Sequence, residues 1–89
     1  MSNSKVTNSN ADSVCAVIPF FNEKLTLDIV LNETIKYVDT IYAVNDGSDD
    51  GFSRMGEESN IKFVNLDKNY GKGRALNVGF EESISAGFN

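Results

Sequence analysis

The sequence contains no histidine, one cysteine and one proline, and it has no long apolar run. The single cysteine, Cys15, cannot form a disulfide within the chain, and its apolar neighbours indicate a small core residue rather than a reactive thiol. No run approaches the roughly 20 apolar residues that a membrane-spanning helix needs. The polar start of the chain also lacks the apolar segment of a signal peptide. We therefore expect a chain without a transmembrane segment, located in the cytoplasm.

Positive charge is also scarce, since 8 basic residues stand against 13 acidic ones and give a net charge of -5. A nucleic-acid surface needs clustered lysine and arginine to displace counterions, so we expect no nucleic-acid partner. The basic residues that lie nearest one another are Lys68, Lys72 and Arg74. This cluster either serves one small anion, such as a diphosphate, or is scattered charge on a solvated loop.

Residues 1–13 are polar and without periodicity, which predicts a disordered tail. Residues 14–89 form one domain at most, and three apolar runs within them predict three strands. The runs at residues 14–18 and 41–44 are continuous, as is typical of strands buried on both faces. The run at 61–66 is interrupted by polar residues, so we expect this third strand at an edge of the sheet.

Helices are predicted between and after these strands. Residues 24–38 carry apolar side chains at steps of three and four, which indicates an amphipathic helix with Asn22 as its N-cap. Residues 51–59 have weak periodicity and allow either a short helix or an irregular connection. In the last segment a stripe of large apolar residues runs beside a stripe of small ones that lets the helix lie close to the sheet: Leu76, Phe80 and Ile84, and Ala75, Gly79 and Ser83.

This alternation predicts an α/β fold with three layers, a βαβαβα unit whose parallel strands lie in the order 3-2-1. The first strand would then lie at an open edge, and it has no charge, bulge or internal proline to protect it. Something should cover that edge. We expect homo-oligomerisation through the exposed first strand or through adjacent helices.

Polar and glycine-rich segments follow each predicted strand. In open α/β sheets ligands bind at the carboxyl ends of the strands, so Asp46 is the first candidate for ligand recognition. Three segments, Val17-Ile-Pro-Phe-Phe-Asn-Glu23, Val44-Asn-Asp-Gly-Ser-Asp-Asp-Gly51 and Asn69-Tyr-Gly-Lys-Gly-Arg-Ala-Leu-Asn77, together resemble the first three blocks of family 2 glycosyltransferases. The blocks occur in the family's order. The resemblance implies the amino-terminal, Rossmann-like, nucleotide-binding half of a GT-A fold.

The resemblance also implies which residues bind the nucleotide of a UDP- or GDP-linked sugar. Pro19, Phe21 and Glu23 would contact base and ribose, and Phe21 stands where the family usually has tyrosine. Asp46, followed by Gly47 in the same block, would accept a hydrogen bond from the base. Asn45 stands where many members have a second aspartate. Lys72 matches a lysine that lies near the diphosphate in some relatives, where it would act as a point charge.

The family's next block would hold a divalent cation, Mg²⁺ or Mn²⁺, against the diphosphate, and a carboxylate base follows later. This chain ends before both groups, so the resemblance implies a transferase module that binds a nucleotide-sugar but is not a complete catalyst alone. Transfer needs both a neutralised leaving group and a deprotonated acceptor. No catalytic residue and no metal ligand can therefore be named in this chain.

Two other hypotheses fit the same loops. The spacing of Asp46, Ser48, Asp50, Gly51 and Glu57 matches an EF-hand calcium loop, although a strand rather than a helix is predicted before it. The second alternative is a non-catalytic interaction or scaffold protein that keeps the fold and uses the bare first strand as an adhesive edge.

Overall fold

The computed structural model describes residues 4–7 and 14–88. Within these residues, five strands and two helices follow one another. They are β1 (Ser4–Thr7), β2 (Val14–Phe20), α1 (Leu27–Thr34), β3 (Thr40–Asn45), β4 (Gly56–Glu58), β5 (Ile61–Asn65) and α2 (Lys72–Ser85). The strands form one sheet in the order β1-β2-β3-β5-β4.

The centre of this sheet is parallel. β2 pairs with β3 from Cys15 opposite Thr40 to Phe20 opposite Asn45, and β3 pairs with β5 up to Asn45 opposite Asn65. The three parallel strands are the predicted ones, and their order is the predicted order. The α/β class and the Rossmann-like arrangement are therefore confirmed, although two antiparallel edge strands make the sheet mixed rather than purely parallel.

Alternating residues of the central strands face opposite sides of the sheet, which creates two cores. On one side, Ala16, Ile18 and Ile41 pack with Leu27 and Leu31 of α1. On the other side, a second cluster packs against α2: Cys15, Val17, Tyr42, Val44, Ala75 and Phe88. Because each central strand is covered on both faces, its sequence is continuously apolar, and the three predicted layers are confirmed.

α2 lies on the sheet through its small residues. Ala75, Gly79 and Ser83 are all buried. A β-carbon added at Gly79 would lie only 2.2 Å from Cγ1 of Val17, so the helix backbone approaches the sheet as closely as a glycine permits. The predicted close packing of this stripe is confirmed, whereas Ile84 of the larger stripe is 59% exposed and packs in neither core.

The prediction of an edge position for the third strand is wrong, because β4 pairs antiparallel with β5 and occupies that edge. The two strands are joined by Ser59 and Asn60, which have φ values of 49° and 67°. Positive φ at both central residues is typical of a tight two-residue hairpin. This pairing accounts for Lys62, one of the polar residues of β5, which lies opposite Glu57 in the register.

The other edge is covered by β1, which pairs antiparallel with β2 from Ser4 opposite Val17 to Thr7 opposite Val14. Here the structure departs from the predicted disordered tail, because Ser4–Thr7 form a strand. Residues 1–3 and 8–13 of that tail lie outside the described residues. The expected cover over the first strand is present, so this strand is not the bare edge that the oligomerisation and scaffold hypotheses assumed.

α1 is shorter than predicted. It begins after Thr26, not after Asn22, whose φ of 54° is incompatible with a helix N-cap. The flanking residues form tighter turns, with the Thr26 N–H donating to the Glu23 carbonyl and the Tyr37 N–H to the Thr34 carbonyl. Asn22 forms hydrogen bonds with the segment after β3 instead.

The segment between β3 and β4 is not helical. Phe52 packs edge-on against Phe20, with ring centroids 4.9 Å apart, and also contacts Phe63. The Arg54 guanidinium forms ion pairs with Asp28 and Glu58, and the hydrogen bond to Glu58 is the main reason why the pKa of Arg54 is raised. These tertiary contacts, rather than local helix propensity, fix the course of this segment.

Candidate functional site

Three loops follow the three parallel strands and therefore lie at the same edge of the sheet. We call them loop A (residues 21–26, after β2), loop B (residues 46–55, after β3) and loop C (residues 66–71, after β5). They lie close together because the strands end in register, with Phe20 opposite Asn45 and Asn45 opposite Asn65.

A cleft of about 250 Å³ opens between these loops. Its lining comprises Pro19, Phe20, Phe21, Glu23, Asp46, Asn69, Gly71 and Lys72. Of the site residues predicted from the sequence, the structure brings five together here, namely Pro19, Phe21, Glu23, Asp46 and Lys72. The sixth, Gly47, does not line the cleft.

The side chains in the cleft differ in exposure. Phe21 is 40% exposed, which leaves its ring available for stacking. Glu23 is half-buried, whereas Lys72, the first residue of α2, is exposed. The cleft thus combines an aromatic surface, a partly exposed carboxylate and an ammonium group.

Asp46 is the most constrained residue of the site. Asp46 is only 4% exposed. One carboxylate oxygen accepts a hydrogen bond from the Tyr70 N–H at 2.8 Å, and the other accepts one from the Gly71 N–H at 3.0 Å. The Asp46 N–H donates to the Phe20 carbonyl at 2.8 Å. Asp46 therefore links the end of β2 to loop C.

Gly47 contacts loop C through its backbone. It has a φ of 73°, and a β-carbon added to it would lie 2.2 Å from the carbonyl carbon of Lys68 and 2.4 Å from the amide nitrogen of Asn69. No side chain fits there unless the backbone of loop C moves. The structure places Gly47 as the residue that lets loop C lie against loop B.

Loops A and B are joined by a reciprocal pair of hydrogen bonds. The Asn22 N–H donates to the Ser48 hydroxyl at 2.9 Å, and the Asp49 N–H donates to the Asn22 side-chain carbonyl, also at 2.9 Å. The Lys24 N–H donates to the Asp50 carboxylate at 3.0 Å. The polar residues of loop B thus satisfy the backbone of its neighbour, as turn-forming side chains commonly do.

Asn45 shows why an amide suits the end of β3. Its carbonyl oxygen accepts from the Ser48 N–H, and its NH₂ group donates to Asn65 at 2.9 Å. A carboxylate can only accept hydrogen bonds, so an aspartate at this position would lose the bond to Asn65. The asparagine therefore both removes one negative charge and connects β3 to β5.

Loop C also carries its own hydrogen bonds. The Tyr70 hydroxyl donates to the Asp67 carboxylate at 2.7 Å, and this bond is the main reason why the pKa of Tyr70 is raised. The Lys68 ammonium lies 5.1 Å from the centre of the Tyr70 ring. Of the basic cluster noted in the sequence, only Lys72 lines the cleft.

The EF-hand hypothesis is contradicted by the structure, because the matching loop joins a strand to a strand rather than a helix to a helix. Its carboxylates also serve different neighbours: Asp46 accepts from loop C, whereas Asp50 accepts from Lys24 and Phe52. Across residues 4–7 and 14–88, no group of three or more metal-ligating side chains is arranged to hold a metal ion.

Sequence reasoning missed three residues that line the cleft, namely Phe20, Asn69 and Gly71. Gly71 has a φ of 96° and acts as the N-cap of α2, and its N–H is shared between Asp46 and the side chain of Asn69. Asn69 and Gly71 lie in the glycine-bearing segment after β5, so that segment could have indicated both residues. Phe20 could not be found from sequence, because its ring is buried in the core beneath α1.

The fold and the cleft together define the class of protein, which is an α/β domain with a cleft at the carboxyl ends of its parallel strands. Residues 15–85 match the family model described as glycosyl transferase family 2. The chain therefore belongs to this family, and the resemblance stated from its motifs is confirmed.

Among characterised proteins, the chain is similar to undecaprenyl-phosphate 4-deoxy-4-formamido-L-arabinose transferase of Shewanella sediminis (strain HAW-EB3). The two are 31% identical over 86 residues, an alignment that covers 83% of this chain and 26% of that protein. This chain thus spans about a quarter of the length of its relative. No solved structure gives a significant match. Neither helix of the described ranges is long and apolar enough to cross a membrane.

Proposed function

We propose that this chain is the donor-binding part of a glycosyltransferase and binds the nucleoside diphosphate of a UDP- or GDP-linked sugar. The observation that carries this proposal is the cleft itself, which brings Phe21, Glu23, Asp46 and Lys72 together at the carboxyl ends of parallel strands. Turn formation alone would explain each loop separately, but it does not predict that these side chains converge.

Each side chain has a role that its chemistry supports. The exposed ring of Phe21 stacks on the base, and the Glu23 carboxylate accepts hydrogen bonds from base or ribose. Asp46 already accepts two N–H groups, and a carboxylate has about four acceptor sites, so it can also accept one bond from the base.

The other end of the cleft suits a diphosphate. Lys72 is the first residue of α2, and the first turn of that helix contains no acidic residue. Backbone N–H groups and the positive end of the helix dipole favour phosphate at such a position. A cleft of about 250 Å³ is small beside typical ligand pockets of roughly 300–1,000 Å³. We therefore assign to it the nucleoside diphosphate and not the sugar.

A divalent cation fits the described residues poorly. Of the two carboxylates that line the cleft, that of Asp46 accepts an N–H bond on each oxygen and is assigned to the base, so only Glu23 remains for a cation. Mg²⁺ is commonly held by one or two carboxylates together with substrate phosphates. We propose that Mg²⁺ or Mn²⁺ enters with the diphosphate, held mainly by phosphate oxygens, and that the chain alone does not complete sugar transfer.

Calorimetry with UDP and GDP, each with and without Mn²⁺, tests the proposal. We expect heat of binding with at least one of the two nucleotides. The absence of heat from both at millimolar concentration would refute the proposal. Base stacking on an aromatic ring contributes about 1–3 kcal/mol, so Phe21→Ala should weaken binding roughly 5- to 150-fold. Tyr37→Ala is the matched control, because Tyr37 is exposed but lies outside the cleft. Equal affinities of the two variants would contradict the stacking role.

The alternative of a non-catalytic interaction protein now rests on a different surface. β1 pairs with the strand that was expected to be adhesive. Leu25, which precedes α1, and Ile29, which lies on α1, are 92% and 67% exposed.

Homo-oligomerisation and a cytoplasmic location stay predictions. Light scattering should find a larger species for the chain that lacks residues 1–13 than for the whole chain, since that deletion uncovers the edge of β2. Equal masses would contradict this role of β1.

A further inference from the structure

Asp46 is in contact with both ends of the proposed nucleotide site. Its N–H donates to Phe20, the residue before Phe21, and its carboxylate accepts from Tyr70 and Gly71, the two residues before Lys72. The two walls of the cleft are thus connected through one residue, whose backbone N–H bonds to β2 and whose carboxylate bonds to loop C.

The connection determines where α2 begins. Gly71 is the N-cap of the helix, with a φ of 96° and a ψ of 157°, and this backbone conformation is outside the helical region. The Gly71 N–H is held by Asp46 at 3.0 Å and by Asn69 at 2.9 Å. Because Lys72 follows directly, the position of its backbone depends on the Asp46 carboxylate.

Loop C has few alternatives to this position. The backbone of Lys68 and Asn69 lies against Gly47, so loop C cannot move towards loop B without a clash. Movement away from loop B is opposed by the two N–H bonds to Asp46, which are charge-assisted and therefore stronger than bonds between neutral groups. Asp46 is thus the group that keeps loop C closed.

We propose that Asp46 is a positioning residue that couples the nucleoside end of the cleft to its diphosphate end, a proposal that rests on the proposed function. Its carboxylate holds the Tyr70 and Gly71 amides and thereby Lys72 at a fixed place relative to Phe21 and Glu23. Binding of the base beside Asp46 and binding of the diphosphate beside Lys72 are then interdependent. If Asp46 contacted only the base, replacing it would leave the position of Lys72 unchanged.

The first test needs no nucleotide. In Asp46→Asn one carboxylate oxygen becomes an NH₂ group, which cannot accept from a backbone N–H. We expect the amide resonances of Tyr70 and Gly71 to shift and their hydrogen exchange to accelerate about tenfold or more. Asp49→Asn is the matched control, since it removes the same charge from an exposed side chain of loop B. Unchanged Tyr70 and Gly71 amides in Asp46→Asn would overturn the proposal.

The second test measures coupling with UDP as the probe. Asp46→Asn, Lys72→Met and the double variant form a cycle, and we expect the two losses of affinity to be non-additive by at least about 5-fold, the lower end of typical coupling between sites. The control cycle combines Asp49→Asn with Lys72→Met and should be additive within about twofold, as for independent positions. Additivity in the Asp46 cycle as well would refute the coupling.

The wild-type chain provides a measurement that does not depend on the folding of any variant. If the two ends are coupled, UDP slows hydrogen exchange at the Tyr70 and Gly71 amides, and exchange that UDP leaves unchanged would contradict the proposal. Absence of binding of both UDP and GDP to the wild type would instead refute the proposed function and the coupling with it, and GDP replaces UDP as the probe if only GDP binds. The amide measurements without nucleotide would still decide separately whether Asp46 holds loop C.

Discussion

Replacing Gly47 by alanine is the sharpest test of how the site is held together. The added β-carbon would lie 2.2 Å from the Lys68 carbonyl carbon and 2.7 Å from its α-carbon. Both are backbone atoms, so no side-chain rotation can relieve the clash. The residue also has a φ of 73°, a region that costs a non-glycine residue about 1–2 kcal/mol. Overpacking adds about 1–3 kcal/mol.

Gly56→Ala separates these two contributions. Gly56 has a φ of 78°, close to that of Gly47, but nothing lies within 4 Å of a β-carbon added there. We expect Gly56→Ala to lose only the conformational part, about 1–2 kcal/mol, and Gly47→Ala to lose about 2–5 kcal/mol in total. The difference measures how closely loop C lies against loop B.

The assay is urea denaturation of both variants and the wild type, followed by far-ultraviolet circular dichroism and analysed with a common slope. The same variants are then titrated with UDP. Gly47→Ala should bind more weakly than Gly56→Ala, since it displaces the loop that precedes Lys72. Equal losses of unfolding free energy in the two variants would show that the backbones of loops B and C are not in contact, and the account of the site would fail.

Two further pairs test the fold. Gly73→Ala should stabilise α2 by up to about 1 kcal/mol through helix propensity. Gly79→Ala should destabilise the protein by about 1–3 kcal/mol, because its β-carbon meets Val17. In thermal melts the two variants should shift the melting temperature in opposite directions, and shifts in the same direction would contradict this. Tyr42 has a buried hydroxyl without a hydrogen-bond partner among the described residues, so Tyr42→Phe should leave stability unchanged or raise it by about 1–3 kcal/mol, relative to the exposed control Tyr37→Phe.

Tyr42 also predicts how stability depends on pH. Burial is the main reason why its pKa is raised above 10.0, and the Lys62 ammonium partly opposes this shift. The neutral phenol is therefore favoured in the folded state, so its contribution is fully present below the unfolded pKa and is lost as the pH rises through the folded pKa. In alkaline denaturation, Tyr42→Phe should lose less stability above pH 10 than the wild type. Identical alkaline curves would contradict this assignment.

The sequence alone determined the centre of the molecule. Two continuous apolar runs, residues 14–18 and 41–44, predicted strands covered on both faces, and the crossover connections between the strands predicted that they are parallel. Five of the six predicted site residues line one cleft, because polar residues after parallel strands share one edge of the sheet. The motif order also led to the family that the comparison shows.

Only the tertiary structure decided which strands form the two edges of the sheet, where α1 begins and which hydrogen bonds Asp46 makes. The turn Ser59-Asn60 lacks the glycine that usually indicates a two-residue hairpin. Ser4–Thr7 form a strand only through pairing with β2. Neither edge strand therefore has a strong signal in the local sequence. Asn22 is a good N-cap residue by type, yet its hydrogen bonds to loop B determine its conformation instead. The Asp46 carboxylate accepts from Tyr70 and Gly71, which lie 24 and 25 residues further along the chain, and this follows from strand register, which no local pattern contains.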